Sequence, residues 1–188
     1  MVRLLLANGA AAESPDRTSS TPLLWAARAG HTDIAALLLR AGARVDTLGG
    51  DGCNALLLAA RAGHTDMVSL LVEQVQPGTA LPFLNTVDRN GQSSLALACK
   101  EGNLETAFKL LAAGAQVNLL DRVGDTAIIH ASKAGHANIV ELLLNKQAEL
   151  DIRGKEGKTA LLAAVEKNQG GNCLPYDFIS VKYVRKDF

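Results

Sequence analysis

Four histidines are the first residues of this chain that could bind a metal or transfer protons. Three of them, His31, His64 and His136, each follow a glycine, and the first two are 33 residues apart. Metal binding by imidazole needs several ligands that converge, whereas this spacing places the three at one position of a repeat. His130 takes the position of Trp25 in another copy of that repeat, and we interpret it as a half-buried packing residue. The histidines therefore predict no metal site.

No other set of side chains assembles an active site. The sequence has no Gly-rich phosphate loop, no His-Glu-x-x-His, no Gly-x-Ser-x-Gly and no kinase motif. Cys53, Cys99 and Cys173 are far apart and form no Cys-x-x-Cys pair, which disfavours a zinc site and a disulfide framework. Reduced thiols are typical of intracellular proteins. We therefore predict that the chain is not an enzyme and needs no cofactor.

Composition narrows the class of partner. The chain has 188 residues, of which 48% are hydrophobic and 4% aromatic, and its 19 basic and 19 acidic residues cancel. No global charge favours nucleic acid or a membrane surface, and no apolar run has the length of a signal peptide or a membrane span. We expect a monomeric cytoplasmic protein, with the nucleus as the alternative, that binds no nucleic acid and does not insert into membranes.

An internal repeat organises the chain. Residues 21–31 read Thr-Pro-Leu-Leu-Trp-Ala-Ala-Arg-Ala-Gly-His, and residues 54–64 repeat the pattern, with weaker copies from residues 93, 126 and 159. The successive steps are 33, 39, 33 and 33 residues. A period of 33 that begins with Thr-Pro-Leu resembles the ankyrin-repeat family. The resemblance implies an all-α solenoid of stacked helix-turn-helix units with β-hairpin loops. It also implies that the imidazole of each Gly-His pair forms a hydrogen bond with the backbone near the turn.

The register divides the chain into units. We expect an ankyrin-repeat domain over residues 1–169, followed by a non-repeat tail over residues 170–188. Its units are a half repeat at 1–15, full repeats at about 16–48, 49–87, 88–120 and 121–153, and a half repeat at 154–169. The half repeat at the start indicates an array that begins inside a longer one. Residues 151–167 also resemble a stretch of a kinase-D-interacting membrane scaffold, over one repeat interval.

Local signals support this register. Thr21 can cap a helix that has Pro22 at its first position, and Gly30 supplies the turn after it. Asp33 lies where it favours the dipole of the next helix. Aspartates open the hairpins and are expected to brace them, at Asp16, Asp88 and Asp121.

Two segments depart from the repeat. Residues 73–87 contain six extra residues with prolines and are predicted to form an enlarged loop. This loop is either a tolerated insertion or a partner contact through Phe83. The tail after residue 170 is β-prone around residues 178–184, and it is either a terminal cap or an alternative end.

Basic residues recur at two repeat positions, although the whole chain is neutral. One column follows each first helix, at Arg28, Arg61, Lys100 and Lys133. The other lies at the hairpin tips, at Arg17, Arg89, Arg122 and Lys155. A cation at a helix end also favours the helix dipole, which would explain the first column without a partner but not the second. The second-helix acids and the hairpin aspartates are expected to lie away from the two columns.

The resemblance implies a function in binding other proteins through a concave face of hairpin tips and first helices. We predict a scaffold or adaptor module whose partner has an acidic surface or peptide. The alternative is a substrate-recruiting or regulatory region of a larger enzyme whose catalytic domain lies elsewhere. Trp25 lies beside this face by register, and it is either an exposed binding hot spot or a core residue packed between repeats. Asn118 resembles the ankyrin asparagines that an intracellular asparaginyl hydroxylase modifies.

Overall fold

The computed structural model describes residues 1–75 and 80–168. Within those residues it contains eleven α-helices, one 3-10 turn at Lys155–Gly157 and no strand longer than a single bridge between Val87 and Ser93. The helices are α1 Val2–Ala7, α2 Pro22–Ala29, α3 Thr32–Arg40, α4 Ala55–Ala62, α5 Thr65–Glu73, α6 Ala80–Leu84, α7 Ser94–Glu101, α8 Leu104–Ala112, α9 Ala127–Ala134, α10 Ala137–Asn145 and α11 Ala160–Asn168. The all-α prediction is confirmed.

The helices form two parallel rows. Helices α2, α4, α7, α9 and α11 pack side by side as the first helices of successive repeats, and α3, α5, α8 and α10 form the row of second helices. Each second helix also packs on the first helix of its own repeat. This is the arrangement of a solenoid, in which a repeat buries its apolar face against its neighbours.

The first helices form the interior of the stack. The position held by Leu23 in α2 is a leucine or isoleucine in α4, α7 and α9, and all four side chains are buried. Small residues such as Ala27 and Cys99 are also fully buried in this row. This explains the low aromatic content of the chain.

The predicted helix boundaries are confirmed in the first full repeat. The Thr21 hydroxyl accepts a hydrogen bond from the Leu24 N–H at 3.4 Å, and Pro22 is the first residue of α2. Gly30 ends the helix with φ of +72°, a left-handed conformation that favours glycine. In the equivalent position before α4, the Asn54 side chain accepts from the Leu57 N–H at 2.9 Å.

The hairpin aspartates brace their turns as predicted. One oxygen of Asp88 accepts the backbone N–H groups of Asn90 and Gln92, both at 2.9 Å. Asp16 and Asp121 make the same pair of bonds in their own hairpins.

Consecutive repeats are also joined by side chains that cap the preceding first helix. His64 Nε2 lies 3.2 Å from the carbonyl oxygen of Arg28, and His136 Nε2 lies 3.2 Å from that of Lys100. The expectation that the Gly-His imidazoles hydrogen-bond to the backbone is confirmed for His64 and His136, whereas the His31 side chain makes no such bond within the described residues. Asn103 holds the same position in the third repeat and donates from its amide to the carbonyls of Ala60 and Arg61.

The inserted segment differs from its prediction. The enlarged loop contains the helix α6, in which Pro82 is the third residue. A proline is compatible with the first turn because the N–H groups there have no helical partner. Phe83 packs inward and is 7% exposed, so its ring is not available to a partner. Residues 76–79, and the tail with its β-prone segment, lie outside the described residues.

Leu4 and Leu5 of α1 are largely exposed, as expected for a second helix without its first. No helix in the described part of the chain is long and apolar enough to cross a membrane.

Candidate partner-binding face

The two basic columns meet at the first hairpins, where Arg17, Arg28 and Arg89 line one cavity. The hairpins that contain Asp51 and Asp88 reach the first helix of the preceding repeat. We call Arg28, Arg61, Lys100 and Lys133 the helix-end row, and Arg17, Arg89, Arg122 and Lys155 the tip row. Every member is exposed except Lys133, whose side chain is half-buried.

The helix-end row is largely paired with aspartates. Arg28 Nη2 lies 2.9 Å from a carboxylate oxygen of Asp51, and Arg61 Nη2 lies 3.0 Å from one of Asp88. Lys133 Nζ donates to Asp125. The expectation that hairpin acids lie away from the ladder is therefore wrong. Hairpins place aspartates beside the helix ends, where they neutralise three of the four cations.

Lys100 differs from its equivalents. By register its partner would be Asp121, which corresponds to the Asp88 that binds Arg61. The Asp121 carboxylate instead lies 2.9 Å from His130 Nε2, and no acid in the described residues pairs with Lys100. The ammonium group of Lys100 is therefore free to meet a partner.

The tip row has no acidic partner among the residues that the structure describes. Arg89 Nη2 donates to the neutral carbonyl of Gly50. Arg122 engages the neighbouring hairpin through its backbone, with its N–H donating to the Asn90 carbonyl at 3.0 Å. Lys155 likewise uses its backbone N–H, on Asp125 at 3.0 Å. The charge available to a partner is therefore concentrated at the hairpin tips.

Trp25 lies between the two rows and is 51% exposed. Its indole Nε1 donates to Asp16 Oδ2 at 2.9 Å, and the Arg28 guanidinium carbon lies 5.6 Å from the ring centroid. Hydrogen bonds from the Thr18 hydroxyl, the Ser20 N–H and this indole hold the pKa of Asp16 far below its ordinary range. The ring is thus fixed in place and open to solvent.

Four of the nine residues predicted to bind a partner line one open cavity of about 630 Å³, namely Arg17, Trp25, Arg28 and Arg89. Arg61, Lys100, Arg122, Lys133 and Lys155 lie outside its lining. Asp51 also lines the cavity, and the sequence reasoning missed it. Its signal was a position two residues before Cys53, whose N–H it accepts at 3.0 Å as hairpin aspartates do.

Three potential metal ligands, Asp121, Asp125 and His130, have ligand atoms within 4.8 Å of one another. The carboxylate oxygens of Asp121 and Asp125 already accept backbone N–H groups, and the Lys133 ammonium group binds Asp125. His130 is buried rather than half-buried as predicted, and it is a polar brace, because its Nε2 lies 2.9 Å from Asp121 Oδ2 and 3.3 Å from Gln92 Nε2. This cluster is therefore an internal hydrogen-bond network.

Both amide atoms of Asn118 are occupied by Glu149. Its Nδ2 donates to a Glu149 carboxylate oxygen at 3.1 Å, and its Oδ1 accepts the Glu149 N–H at 3.0 Å. A hydroxylase would have to break this pair to reach the side chain. Hydroxylation stays a prediction, and the intact mass after incubation with such an enzyme tests it by one added oxygen.

Comparisons with known families find ankyrin repeats in this chain. A family model described as "Ankyrin repeat" matches residues 18–49, and a model of three ankyrin repeats matches residues 41–121 and 95–176. A search of curated proteins found no match. Ankyrin-repeat proteins are generally protein–protein interaction modules and are typically not catalytic. Because the family models cover most of its length, this chain belongs to the ankyrin-repeat family.

Proposed function

We propose that this chain is a non-catalytic interaction module that holds an acidic segment of another protein against its hairpin tips and first-helix ends. The observation that carries the proposal is the difference between the two basic rows. Three of the four helix-end cations are neutralised within the domain, whereas no tip-row side chain forms an ion pair among the described residues. Unpaired cations in one line are available to an acidic partner.

The charge is expected to act mainly on the rate of association. Exposed ion pairs each contribute about 0.2–1 kcal/mol, so no single tip residue should dominate affinity. A row of like charges instead attracts an acidic partner over a distance near the Debye length, and salt weakens that attraction. Nucleic acid is a poorer candidate, since no series of exposed aromatic rings accompanies the cations to stack bases.

The test should reverse the tip row and spare the helix-end row. Arg61 and Lys133 pair with aspartates whose side chains are 3% and 4% exposed. Their reversal would leave buried carboxylates without their cationic partners and would destabilise the domain. The informative variant is therefore Arg89→Glu, Arg122→Glu and Lys155→Glu together.

A matched control has the same change in net charge on the second helices or directly after them. Arg40, Lys109 and Lys146 are exposed and have no ion pair among the described residues. We expect an immobilised polyglutamate peptide to associate with the native chain quickly at low salt and more slowly as salt rises. The tip-row variant should associate slowly at every salt concentration, and the control triple should resemble the native chain. Equal losses in the two variants would show that net charge alone acts, and the proposal would be wrong.

A further inference from the structure

One cavity of the candidate face combines an exposed aromatic ring with basic side chains. The cavity at the first two hairpins contains an exposed indole ring, that of Trp25, together with Arg17, Arg28 and Arg89. Tryptophan and arginine are the residue types that most often dominate binding energy at protein interfaces. Charge attraction by the tip row does not involve the Trp25 ring.

The ring is held in place before a partner arrives. Asp16 fixes the indole N–H at 2.9 Å, and Asp16 is itself fixed by the Thr18 and Ser20 N–H groups at 2.7 and 3.0 Å. Arg28 is held near the ring by its ion pair with Asp51. Because the indole N–H is already used, the ring can offer a partner only its apolar surface. A group fixed in its binding position loses little conformational entropy when a ligand arrives.

The charge of the cavity fits one carboxylate. Three arginines and Asp51 line the cavity, and the Asp16 carboxylate, which is not part of the lining, lies 2.9 Å from the indole Nε1 of Trp25. Together these five charged groups leave one net positive charge. Arg17 has no ion pair in the described residues, and Arg89 spends one donor on the Gly50 carbonyl and retains the rest. A single carboxylate balances this charge, whereas a phosphate group near its dianionic state would exceed it.

We infer that this cavity binds a short segment of a partner protein in which an aspartate or glutamate adjoins a large apolar side chain. The carboxylate meets Arg17 and Arg89, and the apolar side chain packs on Trp25. This inference rests on the proposed function and narrows it, since it specifies a sequence feature of the partner.

Trp25 is the sole tryptophan of the chain, so intrinsic fluorescence reports on this cavity in the full-length protein. The probes are short glycine-flanked peptides with Leu-Glu, Leu-Gln, Gly-Glu or Leu-phosphoserine at the centre. We expect Leu-Glu to bind most tightly. Loss of the carboxylate or of the leucine should each weaken binding roughly five- to tenfold.

Asp51→Asn gives a change that a merely structural role would not produce. Asparagine keeps the oxygen that accepts the Cys53 N–H but removes the charge that pairs with Arg28. Affinity for Leu-Glu should rise roughly two- to fivefold, the range of one exposed ion pair. Arg89→Glu should weaken it by at least as much. Arg40→Glu, on a second helix outside both the cavity and the tip row, is the matched control and should leave it unchanged.

The outcomes separate this inference from the proposed function. If polyglutamate still depends on the tip row while Leu-Glu binds no better than Leu-Gln or Gly-Glu, the cavity is wrongly assigned and the proposed function stands. Tighter binding of the phosphoserine peptide, or no gain from Asp51→Asn, would also overturn the inference. If neither probe binds, both proposals fail.

Discussion

Gly63→Ala is the substitution whose cost the structure predicts most sharply. Gly63 ends α4 with φ of +74°, and a Cβ there would lie 2.6 Å from Asn103 Oδ1 and 3.1 Å from Asn103 Nδ2. Those amide atoms belong to the side chain that caps the carbonyls of Ala60 and Arg61. The methyl group would therefore strain the backbone and displace the cap between two repeats.

The two costs can be estimated separately. A residue with a Cβ in the left-handed region costs about 1–2 kcal/mol relative to glycine. The two hydrogen bonds of Asn103 contribute about 0.5–1.5 kcal/mol each. We expect Gly63→Ala to lower the free energy of unfolding by about 3–4 kcal/mol and Asn103→Ala to lower it by about 2 kcal/mol.

The double variant isolates the displaced cap. Without the Asn103 amide, alanine at position 63 should cost only the backbone strain of about 1–2 kcal/mol. Urea unfolding followed by circular dichroism gives these values, provided that the m-values agree among the variants. Gly135→Ala is a second control. Gly135 ends α9 with φ of +84°, and a Cβ there would lie 3.6 Å from its nearest described neighbour, Lys167 Cε. Equal costs of Gly63→Ala with and without Asn103 would refute the role of the cap.

Three further predictions concern the pH response, thiol reactivity and local opening. Because the pKa of Asp16 is depressed below its ordinary 3.8, its bond to the indole should persist at pH 3.8 and be lost only as the pH falls further, through the lowered pKa. Trp25 fluorescence should show this, with Asp16→Asn as the control, and a change centred at or above pH 3.8 would contradict it. Burial raises the pKa of the Cys99 thiol to about 12, so iodoacetamide at about pH 8 should label Cys99 only when urea unfolds the protein. Peptide mass mapping measures the label, and labelled Cys99 in the native protein would contradict the prediction. In hydrogen exchange α1 should open before α4 and α5, since no residue of α1 is buried whereas α4 has six buried residues and α5 has three, and equal protection would disprove this.

The repeat period predicted most of the fold. It located the helix pairs because the first helices α2, α4 and α7 share the same short-range signals, a side-chain cap before the helix and a left-handed glycine after it. Thr21 and Gly30 could be assigned from their immediate neighbours. The helix α6 was missed because Pro82 was interpreted as a helix breaker, although a first-turn position is compatible with proline.

The candidate site was predicted in composition but not in electrostatics. Register placed Arg28 and Arg61 in one column, but their partners Asp51 and Asp88 lie 23 and 27 residues along the chain and hold different hairpin positions. Such pairings depend on where each hairpin meets the preceding helix, which no local pattern encodes. The caps from His64 and Asn103 to the previous repeat are long-range for the same reason.

Arg61 and Lys100 show how far equivalent positions can diverge, and they give the last prediction. Both lie in the last turn of an interior first helix, so each gains a similar few tenths of a kcal/mol from the helix dipole. Arg61 also balances an Asp88 side chain that is 3% exposed, whereas no acid in the described residues pairs with Lys100. Arg61→Gln should therefore cost about 1–3 kcal/mol, the range for a buried acceptor that loses its charged partner. Lys100→Gln should stay within about 0.5 kcal/mol of the native chain. Urea unfolding of the two variants decides between the explanations: equal costs would mean that the cations serve the helix dipole alone and that the pairing with Asp88 adds nothing.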